Sequence, residues 1–272
     1  MQSVDYGLLA LAAAGLGSLG GLGGAILLVP ALVLTGLPAS EAAPLGLLTV
    51  AAGSIAAGPQ QLAERSVNHR LGVATELIAS SGAVLGATVS GLFSERTLTW
   101  VLAAVALTAA FAGGGRNGRR NPPDPSCDKT DVGERVGALG GAYPLEDGIV
   151  PYRPGRLAPG LSLMGVAGVI AGMAGASGGF IKTPATSQLM KVPMKVASAT
   201  TTFTVGVTSS AALVVFAVQG RIDVGASPLV IAGSLVGGRL GARIQSKLPP
   251  PAIRVLLSGL LVAVAVILVI RA

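Results

Sequence analysis

Lys182 stands in an apolar stretch that reads GMAGASGGFIKTP, three positions after a Gly-Gly pair. A cation there is costly unless it is paired, hydrated or bound to an anion. With Ser177 and Thr183 beside it, Lys182 could hold an oxyanion. The competing reading is a lysine that snorkels to the membrane interface. Glu76 lies in a second apolar stretch, GVATELIASSG. Arg239 and Arg243 lie four apart in a third, on one helix face. Glu76 could relay a proton or neutralise one of these arginines. Equally, the three could form a structural ion pair or sit near the ends of their spans. The run TTTFT at residues 200–204, continued by Thr208, Ser209 and Ser210, makes a hydroxyl-rich helix. Its Thr201 could donate to an anion, although such hydroxyls also bond back to their own helix.

Two glycine clusters flank these chemical groups. GLGSLGGLGGAILLVP contains Gly23 and Gly24 before Pro30, and GMAGASGGFIKTP contains Gly178 and Gly179 before Pro184. Pro38 and Pro193 follow at equivalent distances. Glycine inside a helix costs about 1 kcal/mol against alanine, and proline about 3 kcal/mol. A break at each cluster would bare backbone N–H groups at the start of a half-helix, where anions bind. These four glycines are therefore candidate substrate contacts, and the four prolines candidate helix breaks. Small residues that let two helices approach closely account for the same pattern without any ligand.

The elements that must carry these residues are membrane helices. Of 272 residues, 51% are apolar and 11% charged, against roughly 25% charged in soluble domains. Eight apolar stretches run at about 7–35, 42–60, 71–93, 98–114, 159–190, 196–218, 224–244 and 252–270. A span takes roughly 20 residues, so the first and fifth are too long for one crossing. The expected fold is an all-α membrane protein of about eight transmembrane helices, in two related four-span repeats, with the first helix of each broken or re-entrant. Residues 1–115 form the first repeat, 116–158 a polar Pro- and Gly-rich linker, and 159–272 the second. The repeat rests on a gapless offset of 155 residues, which pairs Gly20, Gly23, Gly24 and Ile26 with Gly175, Gly178, Gly179 and Ile181, and Gly82 and Gly86 with Gly237 and Gly241. No cleaved signal is expected, because the run that follows Tyr6 is about twice as long as a signal-peptide core.

Net charge is +7, and the basic residues lie mostly between apolar stretches. They set topology rather than bind nucleic acid. With eight simple crossings, Arg65, Arg70, the linker cations, Arg221 and Arg271 share one side and Arg96, Lys191, Lys195, Lys247 and Arg254 the other. The positive-inside rule then puts both termini and the linker in the cytoplasm. Re-entrant segments would change that count. A lone cysteine, Cys127, excludes an intramolecular disulfide and a cysteine metal site. No catalytic residue, metal or cofactor is expected, and the partners are a small anion and membrane lipid, with a homodimer compatible with both.

At GLGGAILLVPALVLTGLPASEAA and its echo GASGGFIKTPATSQLMKVPMKVASAT, the sequence resembles the TauE/SafE family of sulfite-exporter-like membrane transporters. The resemblance covers both membrane halves. It implies secondary transport of a small sulfur-containing anion, such as sulfite or an organosulfonate, across the cytoplasmic (inner) membrane, with export the expected direction. An anion channel is the alternative from the residues themselves. A third is an intramembrane serine protease, since GASG fits a G-x-S-G pattern around Ser177. It would need His69, the single histidine, as base. There is no P-loop for ATP.

Overall fold

Gly23 and Gly175 have left-handed backbones (φ +80° and +64°), the first just before a helix and the second closing one, where the apolar pattern alone would run on. The computed structural model describes residues 3–19, 23–63, 65–112, 132–135, 137–145, 148–176, 178–245 and 250–271. Its helices are α1 (Ser3–Leu19), α2 (Ala25–Leu34), α3 (Ala39–Ala63), α4 (His69–Ser90), α5 (Glu95–Ala112), α6 (Leu157–Ala174), α7 (Gly179–Pro184), α8 (Met194–Val218), α9 (Ser227–Gln245) and α10 (Pro250–Arg271). A π-helical segment, Ala185–Leu189, continues α7. By length and composition α3, α4, α6 and α8 can each cross a membrane, while α1, α2 and α10 are shorter apolar helices.

The breaks fall at the glycines. Pro30 lies inside α2 and Pro184 closes α7, so neither is the break that its residue type suggests. The proline ring removes one helix hydrogen bond. After Pro184 the helix absorbs that loss by widening into the π segment. Pro38 and Pro193 stand just before α3 and α8, where the missing N–H costs nothing, and their carbonyls accept from Ala42 and Ala197.

Each broken stretch is a hairpin. α1 packs on α2 and on α9, and α6 packs on α7 and on α4. The second hairpin leaves one end of the bundle at Leu157 and returns to it, because Gly155 donates its N–H to the Met190 carbonyl. The first begins beside α9, with Gly7 against Leu229, and returns to Leu34, whose carbonyl accepts from Arg271 at the end of α10. The two hairpins thus enter from opposite ends.

This corrects the expected topology. A hairpin makes no net crossing, so the assignment of loops to sides from eight simple crossings fails. The start of α1 and the end of α10 lie at one end of the bundle, together with Ser40, Ser90, Glu95 and Arg221. The described linker residues lie at the other, with the starts of α4, α6 and α8. Arg221 and Lys191 also exchange ends relative to the simple count.

Small residues set the helix spacing. A Cβ added at Gly86 would stand 2.1 Å from the Val169 carbonyl oxygen, and one at Gly237 2.1 Å from that of Leu11. α4 against α6 and α9 against α1 are therefore backbone-to-backbone contacts.

The linker departs from the all-α expectation. Gly133–Glu134 (β1), Gly141–Leu145 (β2) and Gly148–Tyr152 (β3) form an antiparallel sheet in the order β1-β2-β3. Tyr143 and Tyr152 are buried with Leu71, Met190, Val192 and Val196. Asn68 ties the sheet down. Its Oδ1 caps α4 by accepting from the Leu71 N–H, and its Nδ2 donates to the Leu139 carbonyl and to Tyr152 Oη at 2.8 Å.

Burial raises the Tyr152 pKa to about 12, against the lowering effect of the Asn68 hydrogen bond and with a small further push from Glu134. The docked sheet favours the neutral phenol. Its contribution is present below pH 10 and is lost as pH rises from about 10 to 12. Protease resistance of the sheet is expected to fall across that window in the wild type. In Tyr152→Phe that pH dependence should vanish.

Candidate functional site

Glu76 on α4 and Lys182 on α7 meet in the middle of the bundle. Lys182 Nζ lies 2.8 Å from Glu76 Oε2, and the two residues are only 2% and 5% exposed. The Thr208 hydroxyl on α8 bridges them, accepting from Lys182 Nζ and donating to Glu76 Oε1. Ser80, one turn along α4, donates to the same oxygen at 3.2 Å. Three helices thus converge on one ion pair with its hydroxyls.

Local sequence explains the geometry. The break after Gly175 starts α7 deep in the bundle, so Lys182 reaches Glu76 from the last turn of this short helix. Gly175 packs on α3 at Ala43, and Gly72 of α4 packs on Thr200 and Thr204 of α8. Two buried opposite charges attract strongly in a low dielectric. Their desolvation makes that attraction a weak net source of stability. Such a pair is retained where something else needs a charge.

Around it lie further buried hydroxyls. Thr200, Thr201, Thr204, Thr208 and Ser209 of α8 are buried, as are Thr75, Thr186 and Ser187. Thr204 donates weakly to the Thr201 carbonyl at 3.4 Å, and Thr186 donates to the Lys182 carbonyl. A second hydroxyl pair, Ser234 to Thr49, joins α9 to α3. On the far side of α7 an open groove of about 570 Å³ lies against α5 and α6, lined by Phe111, Leu163, Phe180, Ile181 and Gln188 among others.

The remaining candidates scatter. Gly24 and Gly178 are buried just before α2 and α7, with Gly23 and Gly179 half-buried beside them. Thr183 is half-buried. Ser177 lies outside the described residues. Arg239 and Arg243 are exposed on α9. α9 packs on α1 and α3, whereas α4 packs on α6 and α8, so the arginines are not partners of Glu76. His69 sits at the sheet end, 3.8 Å from Glu134 and edge-on to Phe203. Gly175 and Gly178, which flank Ser177, belong to the hairpin tip that points to the other end.

The Glu76–Lys182 contact was missed from sequence because 106 residues separate the two. The available signal was their opposite sign, each alone inside an apolar helix. Thr208 was visible only as one of many hydroxyls.

Polar contacts tie the helices together at both ends of the bundle. At the sheet end the Asn68 N–H donates to Thr200 Oγ1 beneath the sheet. At the other end Arg221 donates to Ser90 Oγ and the Ser40 carbonyl, and lies 4.6 Å over the Phe216 ring. Among the described residues no cluster of His, Cys, Asp or Glu could hold a metal ion.

Apolar helices, two hairpins and a buried charge centre are features of a helical membrane transporter. The chain matches the sulfite exporter TauE/SafE family over residues 6–268, and it belongs to that family. It is 25% identical over 264 residues to the probable membrane transporter protein YunE of Bacillus subtilis (strain 168), covering 91% of this chain and 90% of that one. No solved structure matches it closely enough to count.

Proposed function

We propose that the chain is a secondary transporter that moves a small sulfur-containing anion, sulfite or an organosulfonate, out of the cell across the cytoplasmic membrane. The observation that carries this is Lys182, a buried cation one turn beyond a helix break, facing the hydroxyl-rich side of α8. Its ammonium and the Thr208 hydroxyl are suited to an oxyanion. Glu76 holds the ammonium in place when no anion is there. The sulfur chemistry comes from the family, whose description names sulfite.

The alternating-access reading is supported by the element pattern. Shifting α3 by 155 residues lands on α8, and shifting α4 lands on α9 to within three residues. Each unit then holds one hairpin and three through-going helices, an odd number of crossings. The two units run in opposite directions, as inverted repeats do. The groove behind α7 gives the hairpin room to shift.

Orientation follows from charge. Arg65, Arg70, Arg135, Arg153, Arg156, Lys191 and Lys195 gather at the sheet end, against Arg96, Arg221 and Arg271 at the other. The positive-inside rule places the sheet end in the cytoplasm and the termini outside. Cys127, in the linker and outside the described residues, is the natural reporter. A membrane-impermeant maleimide should label it in inverted vesicles and not in intact cells. Labelling in intact cells would reverse the orientation.

The function is tested by flux of radiolabelled sulfite, thiosulfate, sulfoacetate, sulfate and taurine in proteoliposomes. Saturable flux with counterflow of at least one sulfur oxyanion is expected. Unitary conductance steps would favour a channel, and no flux of any of them with folded protein would overturn the reading.

A further inference from the structure

The Glu76–Lys182 centre is electrically neutral as it stands, and this sets a condition on any anion that binds there. An incoming anion would share Lys182 with the Glu76 carboxylate. Two negative charges would then face one positive charge, all cut off from water. An uncompensated charge in such surroundings is strongly disfavoured. The like-charge contact adds to that cost.

No other described group offers relief. α6 carries no ionisable side chain, and α8 carries only Lys195, exposed in its first turn. α7 contributes Lys182 itself, and α5, which packs on α7, carries only Glu95 and Arg96 in its first turn at the end opposite the sheet. On α4, His69 and Arg70 lie in the first turn at the sheet end. Glu134 of β1 is held beside them, close to His69 and accepting from the Arg70 N–H. The remaining means of relieving the like-charge contact is to protonate the carboxylate, which removes one negative charge from the centre for each anion bound.

The hydrogen bonds suit that exchange. Thr208 and Ser80 now donate to Glu76 Oε1. A protonated carboxyl can donate to either hydroxyl oxygen instead, and this frees the Thr208 O–H to turn to the anion. Lys182 keeps its charge throughout.

We propose that Glu76 takes up one proton for each anion that binds Lys182, so that anion and proton cross together. This rests on the anion reading of Lys182 above. The proton comes from the aqueous phase from which the anion arrives and leaves with it on the far side. No bond other than the carboxyl O–H forms or breaks. Because binding linkage is reciprocal, the anion also tightens proton binding at Glu76 by the same factor. For a monoanion the cycle is electroneutral, so membrane potential neither drives nor opposes it, while for a dianion such as thiosulfate each turn carries one net negative charge.

The test uses the full chain in liposomes with a pH-sensitive dye trapped inside and the membrane potential clamped. Thiosulfate is the probe, because it carries no proton of its own near neutral pH. Inward thiosulfate flux should acidify the lumen by one proton per anion. Whatever thiosulfate a Glu76→Gln protein moves should arrive without protons and with a rate insensitive to pH between 6 and 8. Flux without acidification in the wild type, or proton movement that survives Glu76→Gln, would overturn the coupling while leaving the anion reading intact. If neither thiosulfate nor sulfite moves through folded wild-type protein, both fall together. The wild-type proton count decides the matter even where the variant does not fold.

Discussion

Replacing Lys182 by methionine alone is expected to abolish transport and to destabilise the protein by about 3–5 kcal/mol, the scale set by a buried ion pair that loses one member. Glu76 would be left with hydroxyl donors and no cation in a site only 5% exposed. The protein could lower that cost by binding a proton there, so the loss should be larger at high pH than at low. The double replacement, Lys182→Met with Glu76→Met, removes both desolvation penalties and is expected to recover most of the stability. It should recover none of the transport. Thermal unfolding in detergent across pH, read beside flux in liposomes, separates the two effects. A double variant that still transports would show the pair to be structural.

Gly175→Ala is the second large effect. Its φ of +64° is strained for alanine, and a Cβ there would stand 2.2 Å from the Ala43 Cα. Strain and overpacking together put the cost at about 2–5 kcal/mol. The consequence should reach function, because the contact seats the tip of the α6–α7 hairpin on α3, and α7 carries Lys182. Gly36→Ala is the matched control. It has a left-handed φ of +100° and nothing within 4 Å of an added Cβ. It should show the conformational cost alone, about 1 kcal/mol, with transport retained. Equal melting temperatures for the two variants would contradict the packing role given to Gly175.

Much of this was legible from residues. Apolar stretches predict membrane helices from composition alone, and the glycine clusters predict the two breaks, since glycine is the residue that tolerates both positive φ and backbone contact. Lys182 stood out because a cation in such a stretch needs a partner. Which partner was not legible. The expected repeat register pairs α4 with α9 and so suggests Arg239 and Arg243 for Glu76, but α4 packs on α6 and α8 while α9 packs on α1 and α3. Packing between helices so far apart in the chain carries no short-range sequence signal. The two hairpins overturn the side assignment, because positive-inside counting depends on crossing parity. The sheet was hidden for another reason. Its strands are at most five residues long and glycine- or proline-bearing, and the buried tyrosines that anchor it gain their meaning only from Asn68 and Met190 far away in the chain.

The central claim is that Lys182 receives the transported anion. Counterflow of radiolabelled sulfite into liposomes preloaded with unlabelled sulfite tests it most directly, comparing the wild type with Lys182→Gln and Lys182→Arg at matched amounts of folded protein. Saturable counterflow in the wild type, a fall of at least a hundredfold in Lys182→Gln (about 2.7 kcal/mol) and partial recovery in Lys182→Arg are the results expected. Undiminished counterflow in Lys182→Gln would contradict it.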